Sequence, residues 1–526
     1  MIFHINATLP AKKSGIEHAE LKRIRLFEKN KIKQKLVLRE WDPNLHAQAR
    51  KEHLSDDQLL NLFDYFQGTL VVDPKHITLH DVDFGLPNLK FAHEEKKHRY
   101  LVFHQERLLA RVNYDQTDNE RVKSVEWFDG WNNLYQVKHY DERGFVSLVQ
   151  WYTPDNKIHQ EVWLDLQGRP VLENSYKHTM QNGDRLVKTA WLLRHAGEIR
   201  QFDTLDELMT HFLNLINREY YQIARPNIFI LDRSHLGDAG LLKLDLPAYR
   251  VLHMHNAHTS NAQKPMEASL NNHYEYALYN LSAYDAVVSA TPQQTNDLMA
   301  RFQPQSNLFT IPVGIVDQNL LDQPKVPVQA RTFGKMVVFA RIANEKQLDD
   351  LVRAVSLAHQ SIPELTLDIY GYADPTDNYA ARRAIEQIIT SDKLERVVTF
   401  HGYTEEIDQV ENHAMLYGLT SRMEGFNLAL MEAISHGLIG ITYDVNYGPN
   451  EIIQDQVNGR IVEYGNYEAL AEAIVKILQS SALIEKYSVG AYASAQRYSE
   501  KNVMQAWQKL FDAAQVQWDQ MQKVNR

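Results

Sequence analysis

The stretch Ser421-Arg422-Met423-Glu424-Gly425-Phe426-Asn427-Leu428-Ala429-Leu430-Met431-Glu432-Ala433 carries two glutamates with seven residues between them. The glycine puts Glu424 in a loop, and the apolar run that follows puts Glu432 one to two turns into a helix. The first N–H groups of a helix have no partner inside it, so those of Phe426, Asn427 and Leu428 form a ready diphosphate site. Glu432 suits two adjacent ribose hydroxyls, and Glu424 suits a hydroxyl of a sugar. An amphipathic helix with its acids on the wet face is the competing reading of the glutamates taken alone.

Outward from this stretch, buried strands are expected at 335–339, 365–370, 397–400, 416–418 and 438–442. Helical patterns such as 347–358 and 379–389 separate them, which makes an α/β unit with a parallel sheet. After its first strand comes Phe339-Ala340-Arg341-Ile342-Ala343-Asn344-Glu345-Lys346-Gln347, with two cations in one short loop. Two further strand ends carry glycine between aromatic or histidine neighbours, Tyr370-Gly371-Tyr372 and His401-Gly402-Tyr403.

Taken together, E-G-F before and E-A after, the basic loop and the glycine-containing strand ends resemble the donor site of retaining GT-B glycosyltransferases that use nucleotide sugars. The resemblance over residues 335–460 implies that Arg341 and Lys346 bind the donor diphosphate. Cations placed there stabilise charge developing on the leaving phosphate, an effect of about 3 kcal/mol or more. It also implies that Gly371, Gly402 and Tyr403 line the nucleoside pocket, the last two beside the uracil. The enzyme class is metal-independent, so no cofactor and no metal are expected; the UDP-sugar is a substrate.

The N-terminal part reads as the matching α/β half. A strand at 1–7 leads to a loop whose one glycine is Gly15, then to a helix through Ile16, Ala19, Ile24 and Phe27, and to a strand at 36–40. Ser55-Asp56-Asp57 is expected to cap an apolar helix through Leu59, Leu60, Leu62, Phe63 and Phe66. A helix at 205–216 and strands at 227–231, 250–255 and 286–290 continue the pattern. At the end of one of these strands stands Val251-Leu252-His253-Met254-His255-Asn256-Ala257-His258. Alternation puts His253 and His255 on one face. Read without the family, H-x-H-x-x-H suggests a metal, though no carboxylate lies within it. The resemblance instead implies a histidine near the donor sugar and acceptor, for which His255 is the choice, His258 the second choice, and His253 structural. By the same likeness Ser14-Gly15 takes the place of a glycine loop that lets the acceptor approach the donor phosphate, although the family often has two glycines there. Asp81-Val82-Asp83 matches the metal-binding D-x-D of another glycosyltransferase fold and is read as coincidence.

Between 75 and 200 the texture changes to short alternating runs at 100–103, 122–127, 135–140, 146–152, 162–166 and 187–193. Turn signals separate them: Asp129-Gly130, Asp141-Glu142-Arg143-Gly144, Pro154-Asp155-Asn156, Asp165-Leu166-Gln167-Gly168 and Asn182-Gly183-Asp184. Two D-x-x-G turns recur 24 residues apart, which marks an antiparallel meander with a weak internal repeat. Five of the eight tryptophans fall here (Trp127, Trp131, Trp151, Trp163, Trp191), read as cross-strand core pairs ahead of sugar platforms.

The expected fold is therefore α/β of the GT-B kind: two Rossmann-like domains facing across a cleft, with a β-rich insertion. Residues 1–74 and 201–330 make the N-terminal acceptor domain and 75–200 the insertion. Residues 331–502 make the nucleotide-sugar domain, and 503–526 a helix packing back on the first. A chain of 526 residues with 44% hydrophobic and 23% charged side chains supports several cores. It has no cysteine, which excludes disulfides, thiolate metal sites and cysteine nucleophiles and suits the cytoplasm. No run approaches the roughly 18–20 apolar residues of a membrane span, and the N-terminus lacks the pattern of a secretion signal. Residues 1–39 carry +7 within a net charge of −11, leaving −18 for the rest. Such a segment suits an anionic polymer, a phosphate ligand or a lipid surface, hence peripheral association with the inner face of the membrane.

The opening, the insertion and the C-terminal motifs together resemble a bacterial subfamily of teichoic-acid glycosyltransferases and glycosyltransferases of serine-rich surface proteins. Transfer of glucose from UDP-glucose onto poly(glycerol phosphate), with retained configuration, is the leading expectation. The alternative is UDP-GlcNAc-dependent transfer to Ser or Thr of an adhesin with a partner subunit, and a third is an inactive binding or chaperone subunit. Exposed sheet edges in the insertion also suit a homo-oligomer. No nucleic-acid partner is expected.

Overall fold

Lys335-Met336-Val337-Val338-Phe339 forms a strand in which Met336, Val337 and Val338 are fully buried, as a strand covered on both faces must be. The computed structural model describes residues 1–524 apart from 119 and 180–184, so the turn expected at Asn182-Gly183-Asp184 lies outside the described residues. By its packing the chain divides into two compact units, Met1–Ser14 with Ile32–Arg250, and Gly15–Lys31 with Val251–Arg526.

In the second unit six parallel strands run in the order Val398–Gly402, Thr366–Tyr370, Lys335–Phe339, Leu416–Leu419, Ile439–Tyr443, Gly459–Val462. The chain starts mid-sheet at Lys335–Phe339, winds outward, then returns to Leu416–Leu419 and winds the other way. Strand order thus reverses between those two strands, and the crevice beyond their C-terminal ends is where open α/β sheets bind ligands. The strand Gly459–Val462 adds to those expected. Where a helix was expected at 379–389, the element runs Thr376–Ser391 with Asp377, Asn378 and Tyr379 all at positive φ. The same unit holds a second parallel set in which Val251–His253, the end of strand Tyr249–His253, pairs with Ala286–Ser289, and that with Asn307–Thr310. Helix Gly15–Lys29 packs against the last helix, Glu500–Val524, with Phe27 edge-on to Trp507 at 5.4 Å and the Arg23 guanidinium 5.5 Å above the same indole.

The first unit contains parallel strands in the order Ile228–Leu231, Ile2–Asn6, Gln34–Leu38, Leu59–Asn61. Here the expectation of a helix capped by Ser55 is corrected. Ser55 and Gln58 close a capping box on a single 3-10 turn, Asp56–Gln58, and Leu59–Asn61 is a buried edge strand. The helix is the shorter Leu62–Gln67, whose cap is Asn61, accepting the N–H groups of Phe63 and Asp64.

The rest of the first unit is a ten-stranded antiparallel sheet from Lys90–Glu94 to Glu198–Phe202, each strand paired with its chain neighbour. The two D-x-x-G turns have one geometry. Gly144 and Gly168 stand at φ 89° and 76°, their N–H groups reach the carbonyls of Asp141 and Asp165 at 2.9 Å, and each carboxylate accepts a backbone N–H two residues on. Trp163 and Trp191 stack at 5.5 Å in the core, with Phe63 of the short helix 4.9 Å from Trp163. The core-pair reading fails for Trp131, which stands 84% exposed on a turn, and for Trp151. A tight turn places Trp131 outside any strand pair, because Asp129 accepts its backbone N–H and turns the chain there. Buried Arg143 joins this sheet to the parallel part through Asp141 at 2.7 Å and Asp64 at 3.1 Å. Among the described residues no helix is long and apolar enough to cross a membrane.

Candidate active site

The reversal point of the six-stranded sheet gathers most of the candidate side chains. After strand Lys335–Phe339 the chain makes a 3-10 turn, Asn344–Lys346, and Gln347 takes a left-handed conformation that starts helix Leu348–His359. The turn is tied to the neighbouring strand end, where the Thr420 hydroxyl donates to the Gln347 carbonyl at 2.8 Å and Arg422 N–H to the Glu345 carbonyl at 2.8 Å. Lys346 Nζ thereby meets Glu424 Oε1 at 2.7 Å, with Glu424 buried and the lysine half-buried. Arg341, more exposed, is engaged by the carboxylates of Asp374 and Glu345. Bonds from Thr376, with Arg341 adding to them, hold the Asp374 carboxyl below its ordinary range.

The glycines at the strand ends permit close approach. A Cβ on Gly371 would lie 2.0 Å from the Ala340 carbonyl oxygen, and its own φ is 139°. Its N–H donates to the Gly402 carbonyl at 2.7 Å, which aligns three strand ends in one row. Behind that row, Phe339, Tyr370 and His401 stack successively at 5.0 and 4.6 Å, and Tyr403 beyond is 57% exposed.

Gly425 answers a second demand. A Cβ there would fall 2.2 Å from the His255 carbonyl oxygen, so only glycine lets the Glu424 loop seat on the end of the histidine strand. Phe426 is buried, edge-on to Tyr498 at 5.4 Å. Asn427, at φ 77°, is the N-cap of helix Leu428–Ser435, and its Oδ1 accepts the Leu430 N–H at 2.8 Å. The first turn of this helix begins beside helix Gly15–Lys29, since a Cβ on Gly15 would lie 3.9 Å from Leu428 Cδ1.

Gly15 is where the reading needs correcting. It is the first residue of its helix, without positive φ, and a methyl group there would make only ordinary contact. The glycine expected in the loop before the helix is thus the helix's own first residue. Ser14 lies in the first unit, where its hydroxyl accepts from Arg233 at 3.4 Å.

The histidines separate. His253 and His255 do share a face, with ring centroids 4.4 Å apart. His253 is buried, accepts at Nδ1 from Arg23 at 2.6 Å, and lies edge-on to Trp507. His255 is half-buried, and its backbone N–H donates to the Tyr274 hydroxyl at 3.0 Å. His258 is packed instead on Tyr447 at 5.9 Å and donates to the Pro265 carbonyl at 3.3 Å. Its burial is complete, and desolvation pushes its imidazole down to about 4, so the ring is neutral near pH 7. Asp81 and Asp83 spend their carboxylates on local turns, accepting the N–H groups of Thr78 and Gly85 at 2.8 Å.

One partner was invisible in the sequence. Lys22, on helix Gly15–Lys29, donates to Glu432 Oε1 across 410 residues of chain. Beside this pair opens a cleft of about 790 Å³, lined among others by Arg25, Lys29, Glu405, Asp408 and His436.

Comparison with known proteins meets this geometry. The family Glycosyl transferases group 1 matches residues 323–494, which hold the six-stranded sheet and its loops, and the GtfB middle domain matches residues 94–189 of the antiparallel sheet. The chain is 26% identical, over 96% of its length and 74% of the relative's, to the poly(glycerol-phosphate) alpha-glucosyltransferase of Bacillus subtilis. It is also 26% identical, over 97% of its length and 99% of the relative's, to the GtfA subunit of a UDP-N-acetylglucosamine–peptide N-acetylglucosaminyltransferase of Streptococcus pneumoniae. Among solved structures, the pneumococcal O-GlcNAc transferase GtfA in complex with UDP and GlcNAc superposes with a TM-score of 0.79, at 23% identity and 98% coverage of both chains. TarM superposes with a TM-score of 0.78 at 20% identity, over 97% of this chain and 98% of the other. With the parallel sheet, its motif loops and these homologues in agreement, the chain is a glycosyltransferase of the GT-B fold whose residues 323–494 match the group 1 glycosyl transferase family.

Proposed function

We propose that this protein moves glucose from UDP-glucose onto the glycerol-phosphate units of wall teichoic acid, with retained configuration. The observation that carries the donor half is the Lys346–Glu424 pair, held at the sheet's reversal point beside the start of helix Leu428–Ser435. A diphosphate there faces helix N–H groups and the cations Arg341 and Lys346, and in this reading the two side chains supply the charge a metal would otherwise hold. Donor binding draws Arg341 from Asp374 and Glu345; the guanidinium and Glu345 are exposed and Asp374 is half-buried, so the pairs given up contribute little. Glu432 takes the ribose hydroxyls, Glu424 a sugar hydroxyl, and His255 faces the reacting sugar. Gly371, Gly402 and Tyr403 frame the base.

The step follows from the charges. The bond from the anomeric carbon to the phosphate oxygen breaks as the acceptor oxygen bonds to the same face. The acceptor's hydroxyl proton passes to the departing phosphate oxygen, whose negative charge Arg341 and Lys346 offset. Likeness to the Bacillus poly(glycerol-phosphate) enzyme and the +7 of residues 1–39 support the anionic acceptor. A second reading, N-acetylglucosamine onto a protein with a partner subunit, is supported by likeness to GtfA and by the GtfB middle-domain match. Incubation with labelled UDP-glucose and UDP-GlcNAc, each with poly(glycerol phosphate) and with a Ser/Thr-rich polypeptide, separates the two. We expect label from UDP-glucose in the polymer as the α-anomer; label only in the polypeptide would overturn the proposal.

A further inference from the structure

Helix Gly15–Lys29 turns one face, Lys22, Arg25, Leu26 and Lys29, to the cleft beside Glu432. These cations are not equivalent. Lys29 is held by Glu500 and Asp317, which raise its pKa. Lys22 instead closes on Glu432 Oε1, with the two side chains 29% and 27% exposed. A carboxylate has two oxygens and about four acceptor sites, so a lysine on Oε1 leaves Oε2 open to a hydroxyl donor. Glu432 also has an acidic neighbour to contend with. Glu411, wholly buried and pushed up to about 7 by desolvation, lies 2.7 Å from His436 Nδ1, at the C-terminal end of the Glu432 helix. Lys22 gives Glu432 a fixed counter-charge.

We infer that Lys22 is a positioning residue for donor recognition: it holds the Glu432 carboxylate so that the free oxygen accepts the ribose hydroxyls of the nucleotide. The inference rests on the proposed donor site and adds to it a residue from the N-terminal helix. Lys22 touches the carboxylate and not the reacting atoms.

The test compares binding of UDP and of 2′,3′-dideoxy-UDP, by calorimetry, to wild type, Lys22→Ala, Lys22→Arg and Glu432→Ala, each checked by thermal melting. Wild type should prefer UDP by about tenfold, the size of a hydrogen bond to a charged group. Glu432→Ala should abolish that preference, Lys22→Ala should cut it to about threefold or less, and Lys22→Arg should restore it. A lysine that merely braces the helix would weaken both nucleotides alike and leave the preference intact, which overturns the inference while the Glu432 assignment stands. A preference that survives in Glu432→Ala overturns that assignment and the inference with it.

Discussion

The six-stranded parallel sheet of residues 335–462 and the ten-stranded antiparallel sheet of residues 90–202 use their loops in opposite ways. In the first, loops after the strands are clamped together: Gly371 against Ala340, Gly425 against His255, Lys346 on Glu424. Each contact joins residues far apart in sequence, and chemistry-bearing side chains sit on it. In the second, the turns at Asp129 and Asp165 are self-contained, each aspartate bonding its own backbone, and each strand pairs with its chain neighbour; the Asp141–Gly144 turn, tied through Arg143 to Asp64, is the exception. The lesson is that rigidity in a loop comes from what it is clamped to, and only the clamped set can hold a reacting geometry within a fraction of an ångström.

Four measurements break or sharpen this contrast. Trp163→Ala removes the indole between Phe63 and Trp191 and should cost the first unit about 3–5 kcal/mol in urea unfolding, with UDP affinity unchanged within about twofold. Loss of UDP binding would tie the antiparallel sheet to the site after all. Arg341→Ala should lower the transfer rate by about 10²–10³-fold, with melting unchanged within about 2 °C, since its surface partners contribute little stability. A rate within a few-fold of wild type would remove Arg341 from the clamped set. His258 reports on the buried side of the second unit. Its ring titrates near 6.5 when unfolded and about 4 when folded, so below pH 6.5 the unfolded chain binds a proton the fold refuses. The stability its neutral form contributes is complete above pH 6.5 and is lost toward pH 4, by roughly 1–3 kcal/mol. His258→Phe should therefore flatten the acid limb of stability against pH, and an unchanged slope would mean that the ring reaches solvent. Smallest of all, Trp131→Ala on its exposed turn should shift unfolding by under about 0.5 kcal/mol. A larger loss would show that its turn is braced from outside.

What could be read from the sequence followed the same division. The runs 335–339 and 416–418 are plain because strands buried on both faces are continuously apolar, as in Met336-Val337-Val338 and Leu416-Tyr417. The E-G-F loop was plain because a glycine there has no substitute. Strand Lys90–Glu94 leaves no mark in the sequence because an exposed edge needs no apolar alternation, and its side chains are mostly exposed. Leu59–Leu60 reads as helix because a short apolar run after a Ser-Asp-Asp signal has no periodicity that separates strand from helix. His258 stood in a spacing that suggested a shared site, but the chain turns after His255 and carries it to Tyr447. Lys22 was one charge among ten in a basic segment, and nothing local marks the one that meets a glutamate 410 residues away.

Because every strand of the meander from Lys90–Glu94 to Glu198–Phe202 leans on the one before it, the sheet can be lengthened or shortened by whole hairpins at its rim without rethreading the chain. Such local wiring also keeps contact order low, which favours fast pairing. This part of the molecule can thus change in size without breaking the pairing of what remains, whereas the parallel sheet is stitched from remote segments and loses its order if one is removed.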